Sequence, residues 1–234
     1  MMDRIFCSTI RAGKSLLVGL LVLNAHTQLS EPMQLNAADW PSWRGPNGNG
    51  ISAETDAPMK WSSSENIAWR TLLPGKGRSS PIVSGSRVFV TTGVEEDQSR
   101  RVLCIDRTDG RILWSTSVHN GPGGKMHQDN TMASSTPAAD GERVYAAFVD
   151  DQGMKVVALD YEGRIVWSAS PGTYFSNHGF AASPVMYGDG VIVNGQAGWN
   201  CICGHAGSEV RQGNLAVLTG GQSTILLDSR ADGV

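Results

Sequence analysis

Two short stretches of the sequence carry side chains of the kinds that bind metals. The stretch CICGH places Cys201, Cys203 and His205 close together. Thiolate and imidazole are the groups that zinc and copper prefer as ligands. A closed structural zinc site needs four ligands, and this stretch supplies only three. We therefore expect no metal site at CICGH.

The second stretch is HNGPGGKMHQD, which contains His119, Met126, His127 and Asp129. Its glycines are typical of a solvated loop, and we interpret it as a loop that joins two structural units rather than as a metal site. His178 lies in the stretch YFSNHGF, where it could face the centre of the fold, and we interpret it as a hydrogen-bonded loop histidine. We therefore assign no catalytic, cofactor-binding or metal-binding residue from the sequence.

The composition of the whole chain favours many short strands joined by tight turns. The 234 residues include 28 glycines and 10 prolines, and no long apolar stretch with helical spacing follows residue 40. The net charge is −3 and no basic block occurs, so nothing points to a nucleic-acid partner. Cys104 lies in the apolar run RVLCID and is expected to be a small buried hydrophobic residue.

Residues 1–38 differ from the rest of the chain and predict a secretory signal and leader. Three basic residues precede the apolar run SLLVGLLVL, which is too short to span a bilayer. Cleavage after Ala25 or Ala38 would release a protein without a transmembrane span into the periplasm or the extracellular space. The alternative is that the apolar run forms a buried N-terminal helix.

A repeat of about fifty residues follows the leader. The stretches SSPIVSGSRVFVTTG, SSTPAADGERVYAAF and AASPVMYGDGVIVNG align on Pro81, Pro137 and Pro184. The first two copies continue into VLCIDRTDGRILW and VVALDYEGRIVW, which align on three pairs of residues. These pairs are Asp106 with Asp160, Gly110 with Gly163, and Trp114 with Trp167. Trp69 fits the end of a preceding copy, whose last strand would cover residues 64–72.

Each copy predicts four short strands. The aspartate opens a tight turn by accepting bonds from nearby backbone amides, the glycine supplies a positive φ, and the tryptophan packs between adjacent sheets. Four-stranded units at this period are the blades of a β-propeller. The fold class predicted is therefore an all-β, incomplete β-propeller, and the alternative is a β-sandwich with accidental internal similarity.

The strand–turn–strand motif, clearest in VVALDYEGRIVW, resembles the PQQ-like (quinoprotein-type) β-propeller repeat. The stretches WPSWRGPNGNG and HGFAASPVMYGDGVIVNG also resemble secreted proteins of that family, and the likeness covers residues 40–196. The resemblance implies one of two functions. Some members are dehydrogenases that bind pyrroloquinoline quinone and Ca²⁺, whereas others, such as the BamB type, bind no quinone and act as interaction scaffolds.

The quinoprotein dehydrogenases resemble one another in a ring of two adjacent cysteines and in a Ca²⁺ site built from Glu, Asn and Asp. No Cys-Cys pair occurs in this sequence. We therefore expect a secreted, non-catalytic binding or scaffold module that has no cofactor and binds an unknown protein or small-molecule ligand. The alternative is a fragment of a quinoprotein dehydrogenase that oxidises alcohols or sugars.

The repeat pattern breaks after Gln196, where the third copy should continue into its second pair of strands. If the codons are read one nucleotide later, codon degeneracy requires Lys or Arg in place of Glu209 and Gln212. The same frame permits Asp at position 207, Gly at 211 and Trp at 215, which is the missing motif. We therefore expect residues 39–196 to form the propeller repeats and residues 197–234 to be an atypical, disordered tail read out of frame.

Overall fold

A computed structural model describes residues 39–187, 190–195, 198–203 and 209–212. The chain divides into Met1–Pro32 and Met33–Val234, and all the described residues belong to the second unit. The predicted leader, residues 1–38, lies outside them. Within the described ranges the regular structure is entirely β, so the expectation of an all-β protein is confirmed.

Three four-stranded antiparallel sheets follow one another along the chain, and strands adjacent in sequence are adjacent in each sheet. The first sheet contains β1 (Ile82–Ser84), β2 (Arg87–Val94), β3 (Ser99–Asp106) and β4 (Ile112–Asn120). The second contains β5 (Ala138–Ala139), β6 (Arg143–Val149), β7 (Met154–Asp160) and β8 (Ile165–Gly172). The third contains β9 (Val185–Tyr187), β10 (Gly190–Gly195), β11 (Gly198–Cys203) and β12 (Glu209–Gln212).

The sheets stack face to face because alternate residues of each central strand are apolar on both faces. In β6, Val144, Ala146 and Phe148 belong to the core shared with the first sheet. Tyr145 and Ala147 of the same strand belong to the core shared with the third sheet. A strand that is buried on both faces needs apolar residues at every position. The second sheet is therefore an interior blade of an incomplete β-propeller.

The three proline positions identified in the sequence each precede the first strand of a sheet. Pro81, Pro137 and Pro184 come directly before β1, β5 and β9. β1 contacts β5 and β5 contacts β9, so these strands lie on the inner side of the stack, nearest the axis of the propeller. The predicted alignment of the repeats is therefore confirmed.

The predicted turns between the third and fourth strands have the expected geometry. The Asp106 carboxylate accepts a bond from the Thr108 amide at 2.8 Å, and the Asp160 carboxylate accepts one from Arg164 at 2.9 Å. Gly110 has φ +76° and Gly163 has φ +84°. A Cβ atom at Gly163 would lie 2.7 Å from Cδ2 of Trp114. Both this contact and the positive φ therefore require glycine at this position.

Each of these turns is covered by a tryptophan from the preceding unit. Nε1 of Trp69 donates to the carbonyl of Arg107 at 2.8 Å, and Nε1 of Trp114 donates to the carbonyl of Tyr161 at 2.8 Å. The threonine two residues after each tryptophan also donates to the turn glycine. Thr71 bonds Gly110 O at 2.5 Å and Thr116 bonds Gly163 O at 2.7 Å. The prediction that these tryptophans pack between sheets is confirmed.

The residues expected to form an atypical tail include two strands of the third sheet, since β11 pairs with β10 and β12 pairs with β11. The expectation of a strand over residues 64–72 is corrected, because these residues form no strand in the structure. Trp69 nevertheless occupies its predicted place against the next unit. Residues 213–234 of the expected tail lie outside the described residues, as do 204–208.

The segment 39–45 lies across the inner strands of the first two sheets. Trp40 exchanges backbone hydrogen bonds with Val83 in β1, and the carbonyl of Pro41 accepts one from Ala139 in β5. The buried Asp39 carboxylate accepts a bond from the Gly85 amide at 3.0 Å. The segment therefore joins two blades near the axis, at the end of the sheets where the Gly85 and Gly141 turns lie.

Candidate functional site

The loops that can recognise a ligand lie together at one end of the sheets. In an antiparallel meander, the β2–β3 and β6–β7 hairpins lie at the same end as the connections from one sheet to the next. These connections, residues 121–137 and 173–184, are here called the crossing loops, and this end is the crossing-loop face. Loops carried by a rigid scaffold are where binding residues concentrate.

A fully buried arginine holds the beginning of the first crossing loop. Arg100 is 0% exposed, and its guanidinium donates to the carbonyls of Gly121 at 2.9 Å and Pro122 at 3.3 Å. Burial lowers the pKa of Arg100, and the nearby Asp150 carboxylate partly offsets that effect. Its Nε has no hydrogen-bond partner among the described residues. The loop therefore begins at a charged group that sits inside the protein.

Asp150 supplies the negative charge that balances this arginine. It lies at the end of β6, and its Oδ1 accepts bonds from the amides of Gln152 at 2.7 Å and Gly153 at 2.8 Å. Its Oδ2 lies 2.5 Å from Nε2 of His119, at the end of β4. Burial lowers the pKa of His119 although Asp150 opposes the change. This pair therefore joins the first two sheets beneath the crossing loop.

The two crossing loops are also fixed to each other. Nδ2 of Asn130 donates to the carbonyl of His178 at 2.6 Å. The rings of His127 and His178 have centroids 6.0 Å apart, and Nδ1 of His127 lies 3.3 Å from Oδ2 of Asp129. Beneath the loops is a cavity of about 20 Å³, lined in part by Met126, which is large enough for about one water molecule.

A larger cleft opens beside the first sheet. It has a volume of about 440 Å³ and is lined by the segment from Leu73 to Ser79 and by β2. Its exposed cationic residues are Lys76, which lies 3.2 Å from the Glu95 carboxylate, and Arg78. Thr91 and Thr92 line its floor, but their hydroxyls already donate to backbone carbonyls. The rim of the cleft therefore carries Arg78 and an ion pair between Lys76 and Glu95.

The candidate residues identified in the sequence do not come together in a single site. His119 pairs with Asp150, whereas His127 and Asp129 lie further along the crossing loop and Met126 lines the small cavity. Cys104 is fully buried, as expected, and burial raises the pKa of its thiol to about 11. Among the described residues, no group of three or more His, Cys, Asp or Glu is placed to hold a metal ion.

The residues of CICGH are only partly described. Cys201 pairs with Ile192 and Cys203 pairs with Gly190 in the β10–β11 ladder, whereas His205 lies outside the described residues. In the first sheet, Asp106 pairs with the first residue of β2, and in the second sheet, Asp160 pairs with the first residue of β6. Cys203 has the same place opposite the first residue of β10. Cys203 therefore stands at the register position of the turn aspartate.

Sequence reasoning missed the role of the hydroxyl residue before each proline. The Ser80 amide donates to Thr136 Oγ1 at 2.9 Å, and the Thr136 amide donates to Ser183 Oγ at 3.1 Å. Each bond joins one inner strand to the next around the axis. The repetition of Ser or Thr before proline was the available signal, but a single copy looks like an ordinary loop.

Sequence and structure comparisons identify the protein's family. Among curated proteins, none matches this chain. In structure, it is similar to BamB from Moraxella catarrhalis, at 16% identity with a TM-score of 0.47, over 64% of this chain and 45% of that one. It is also similar to a quinohemoprotein alcohol dehydrogenase from Pseudomonas putida, at 16% identity and TM-score 0.43, over 61% of this chain and 21% of that one.

A third similar structure is a europium-containing methanol dehydrogenase, at 14% identity and TM-score 0.39, over 57% of this chain and 24% of that one. The chain thus corresponds to less than half of the length of each of these proteins. The family described as outer membrane protein assembly factor BamB matches residues 51–217, which is more than half of the chain. The protein therefore belongs to this BamB-like family of PQQ-type propeller-repeat proteins.

Proposed function

We propose that this protein is an exported, non-catalytic propeller protein that binds a protein or small-molecule partner through its crossing-loop face. The observation that supports this most is how the polar groups of that face are used. Arg100, Asp150 and Asn130 all bond to backbone groups that fix the loops. Loops that are held in place before binding lose less conformational entropy when a partner binds.

The cleft beside the first sheet indicates what charge the partner's surface would carry. Lys76 and Arg78 are exposed at its rim, and Arg78 makes no side-chain hydrogen bond or ion pair within the described part of the chain. Arg78 at the rim favours a partner that presents carboxylates, by steering its approach and fixing its register. The proposed partner surface is therefore acidic.

The sequence and the family support export. The leader at residues 1–38 has a basic start and a short apolar run, which is typical of a secretory signal. No helix in the described part of the chain is long and apolar enough to cross a membrane. The family description names an assembly factor of outer-membrane proteins, and an exported binding protein is consistent with that description.

The test combines crosslinking in cells with paired charge reversals. The Lys76→Glu/Arg78→Glu variant should lose crosslinked partners that the unchanged protein retains. The control is Arg111→Glu/Arg164→Glu, which makes the same charge change on turns at the opposite end of the sheets. N-terminal sequencing of the purified protein should begin between about residues 26 and 40 if the leader is removed as predicted.

Three results would contradict the proposal. Equal crosslinking by both charge variants would show that the cleft is not the binding surface. Dye-linked alcohol oxidation by the protein after reconstitution with pyrroloquinoline quinone and Ca²⁺ would show a dehydrogenase instead. An intact Met1 on protein from the cytoplasm would exclude export.

A further inference from the structure

Two histidines that are 51 residues apart in the sequence meet on the crossing-loop face. His127 belongs to the first crossing loop and His178 to the second, and both side chains are exposed. Their ring centroids are 6.0 Å apart and the ring planes are tilted by 39°. We propose that these two imidazoles bind one divalent transition-metal ion between the loops.

The separation of the rings fits this chemistry. A metal-bound imidazole nitrogen lies about 2.0–2.1 Å from the ion. Two rings that share one ion therefore have centroids no more than about 6.5 Å apart, and the observed separation is within that limit. Rotation of exposed side chains is enough to aim one nitrogen of each ring at a common point.

The backbone around the two histidines is held in place. Nδ2 of Asn130 donates to the carbonyl of His178 at 2.6 Å, which joins the loops beside the rings. Gly179 has φ +84°, and a Cβ there would lie 2.7 Å from Asn130 Nδ2 and 2.9 Å from Cβ of Met126. The loops are thus packed too closely at this point for a larger residue, and this fixes the separation of the histidines.

Asp129 gives His127 the surroundings of a metal ligand. Its backbone amide donates to Nδ1 of His127 at 3.2 Å, and its carboxylate oxygen lies 3.3 Å from the same nitrogen. An ion that binds Nε2 requires the ring proton to be on Nδ1, where the Asp129 carboxylate can accept its hydrogen bond in place of the amide contact. The same arrangement of carboxylate, histidine and metal is common around zinc. Asp129 is therefore a positioning residue, and His127 and His178 are the ligands.

The ligand set indicates the kind of ion. Imidazole suits copper, nickel and zinc, and affinity at a given site is highest for Cu²⁺ in the divalent series. Two protein ligands leave the remaining coordination positions to water or to a partner's side chain, so the ion would exchange with solvent. This site does not depend on the proposed function, because its ligands lie outside the cleft at Lys76 and Arg78.

The experiment titrates the full chain with Cu²⁺ and follows it by calorimetry and electron paramagnetic resonance. A Cys7→Ser/Cys201→Ser/Cys203→Ser background removes the competing thiols other than the buried Cys104. We expect one bound ion with hyperfine coupling to two nitrogens. His127→Gln and His178→Gln should each weaken binding by about 10-fold or more and leave one coupled nitrogen, while Asp129→Asn should weaken it by about 10-fold.

The matched control is His119→Gln, because that ring is engaged with Asp150 and should not affect the titration. Circular dichroism of each variant shows whether the sheets are intact. The proposal is wrong if the unchanged background protein binds no Cu²⁺, or if its spectrum shows fewer than two nitrogens. It is equally wrong if the His127→Gln/His178→Gln variant binds Cu²⁺ with unchanged affinity.

Discussion

The junction between the first and second sheets differs from the junction between the second and third. At the first junction, Trp114 donates to the turn of the next unit at 2.8 Å, and Thr116 adds a second bond at 2.7 Å. At the second junction, Trp167 is only 8% exposed, but its Nε1 has no partner among the described residues. Ala169 stands where the first junction has Thr116, so that bond cannot form.

This difference shows that the tryptophan and the turn it covers depend on each other. A buried donor left without an acceptor costs about 1–3 kcal/mol. The acceptor for Trp167 would be a carbonyl in the turn after β11, at residues 204–208, which lie outside the described residues. The register places Cys203, rather than an aspartate, at the start of that turn. The ladder of the third unit therefore holds a cysteine where the first two units hold the turn aspartate.

We propose that the missing turn is encoded in the reading frame one nucleotide later. In the second unit, Asp160 follows Val144 by sixteen residues. Val191 is the equivalent of Val144 in the third unit, and sixteen residues further on is position 207. That is the position at which the shifted frame permits aspartate. In the first unit Asp106 follows Val88 by eighteen residues, so this spacing varies between units and the interpretation rests mainly on the codon pattern.

The largest expected effect comes from restoring this frame. A one-nucleotide deletion between codons 196 and 200 should yield a longer chain whose turn covers Trp167 and whose new Trp at position 215 packs on the following unit. Burial of a large aromatic side chain stabilises by about 1.5–3 kcal/mol, against a net stability of about 5–15 kcal/mol. Solubility and urea unfolding of the two forms measure the difference.

The outcome that would contradict this proposal concerns the unaltered protein. If it is a soluble monomer that unfolds cooperatively, with residues 197–234 protected from hydrogen exchange, the tail is a genuine structural element. Hydrogen exchange resolved to the individual amides of that segment distinguishes the two cases.

A smaller effect is expected from removing the indole N–H group of Trp114 or of Trp167. Trp114→Phe should lower the free energy of unfolding by about 1 kcal/mol, because it removes the bond to the Tyr161 carbonyl. Trp167→Phe should be closer to neutral, because it removes a buried N–H that has no described partner. The two substitutions remove the same atoms, so the loss of apolar area is matched. Urea unfolding of the same background measures both.

Equal destabilisation by the two substitutions would show that Trp167 has an acceptor after all. The comparison can be sharpened with Thr116→Val, which removes the hydroxyl that bonds Gly163 while preserving side-chain shape. If Trp114→Phe and Thr116→Val each cost about 1 kcal/mol, the first junction is stabilised by both hydrogen bonds.

The elements that repeat in the sequence were predictable because local chemistry determines them. Asp106 and Gly110 specify a turn within five residues, and β6 alternates apolar side chains on two faces. The proline before each inner strand marked the start of a unit. No partner elsewhere in the chain is needed to form these features, so pattern and spacing were sufficient.

The contacts of the candidate site could not be predicted because they join distant residues. Arg100 is an ordinary strand residue in the sequence, and only the fold shows that it is buried against Gly121 and Pro122. His127 and His178 occupy different loops whose separation depends on how the sheets stack. The strand expected over residues 64–72 was also wrong, since the local pattern there does not form a strand in the structure.

The smallest expected effect concerns the pH dependence of the first junction. Burial lowers the pKa of His119 below its ordinary value of 6.5, whereas the unfolded chain binds the proton near 6.5. The unfolded state therefore binds more protons as the pH falls below about 6.5, and stability should decrease there. His119→Gln should flatten this dependence between pH 7 and 5, whereas His127→Gln, at an exposed ring, should not. The pKa values of Asp97, Asp106 and Asp160 are lowered and so fall further below that range, and the difference in urea midpoint between His119→Gln and the unchanged protein reports on this histidine. A slope unchanged by His119→Gln would show that the pair with Asp150 does not couple protonation to folding.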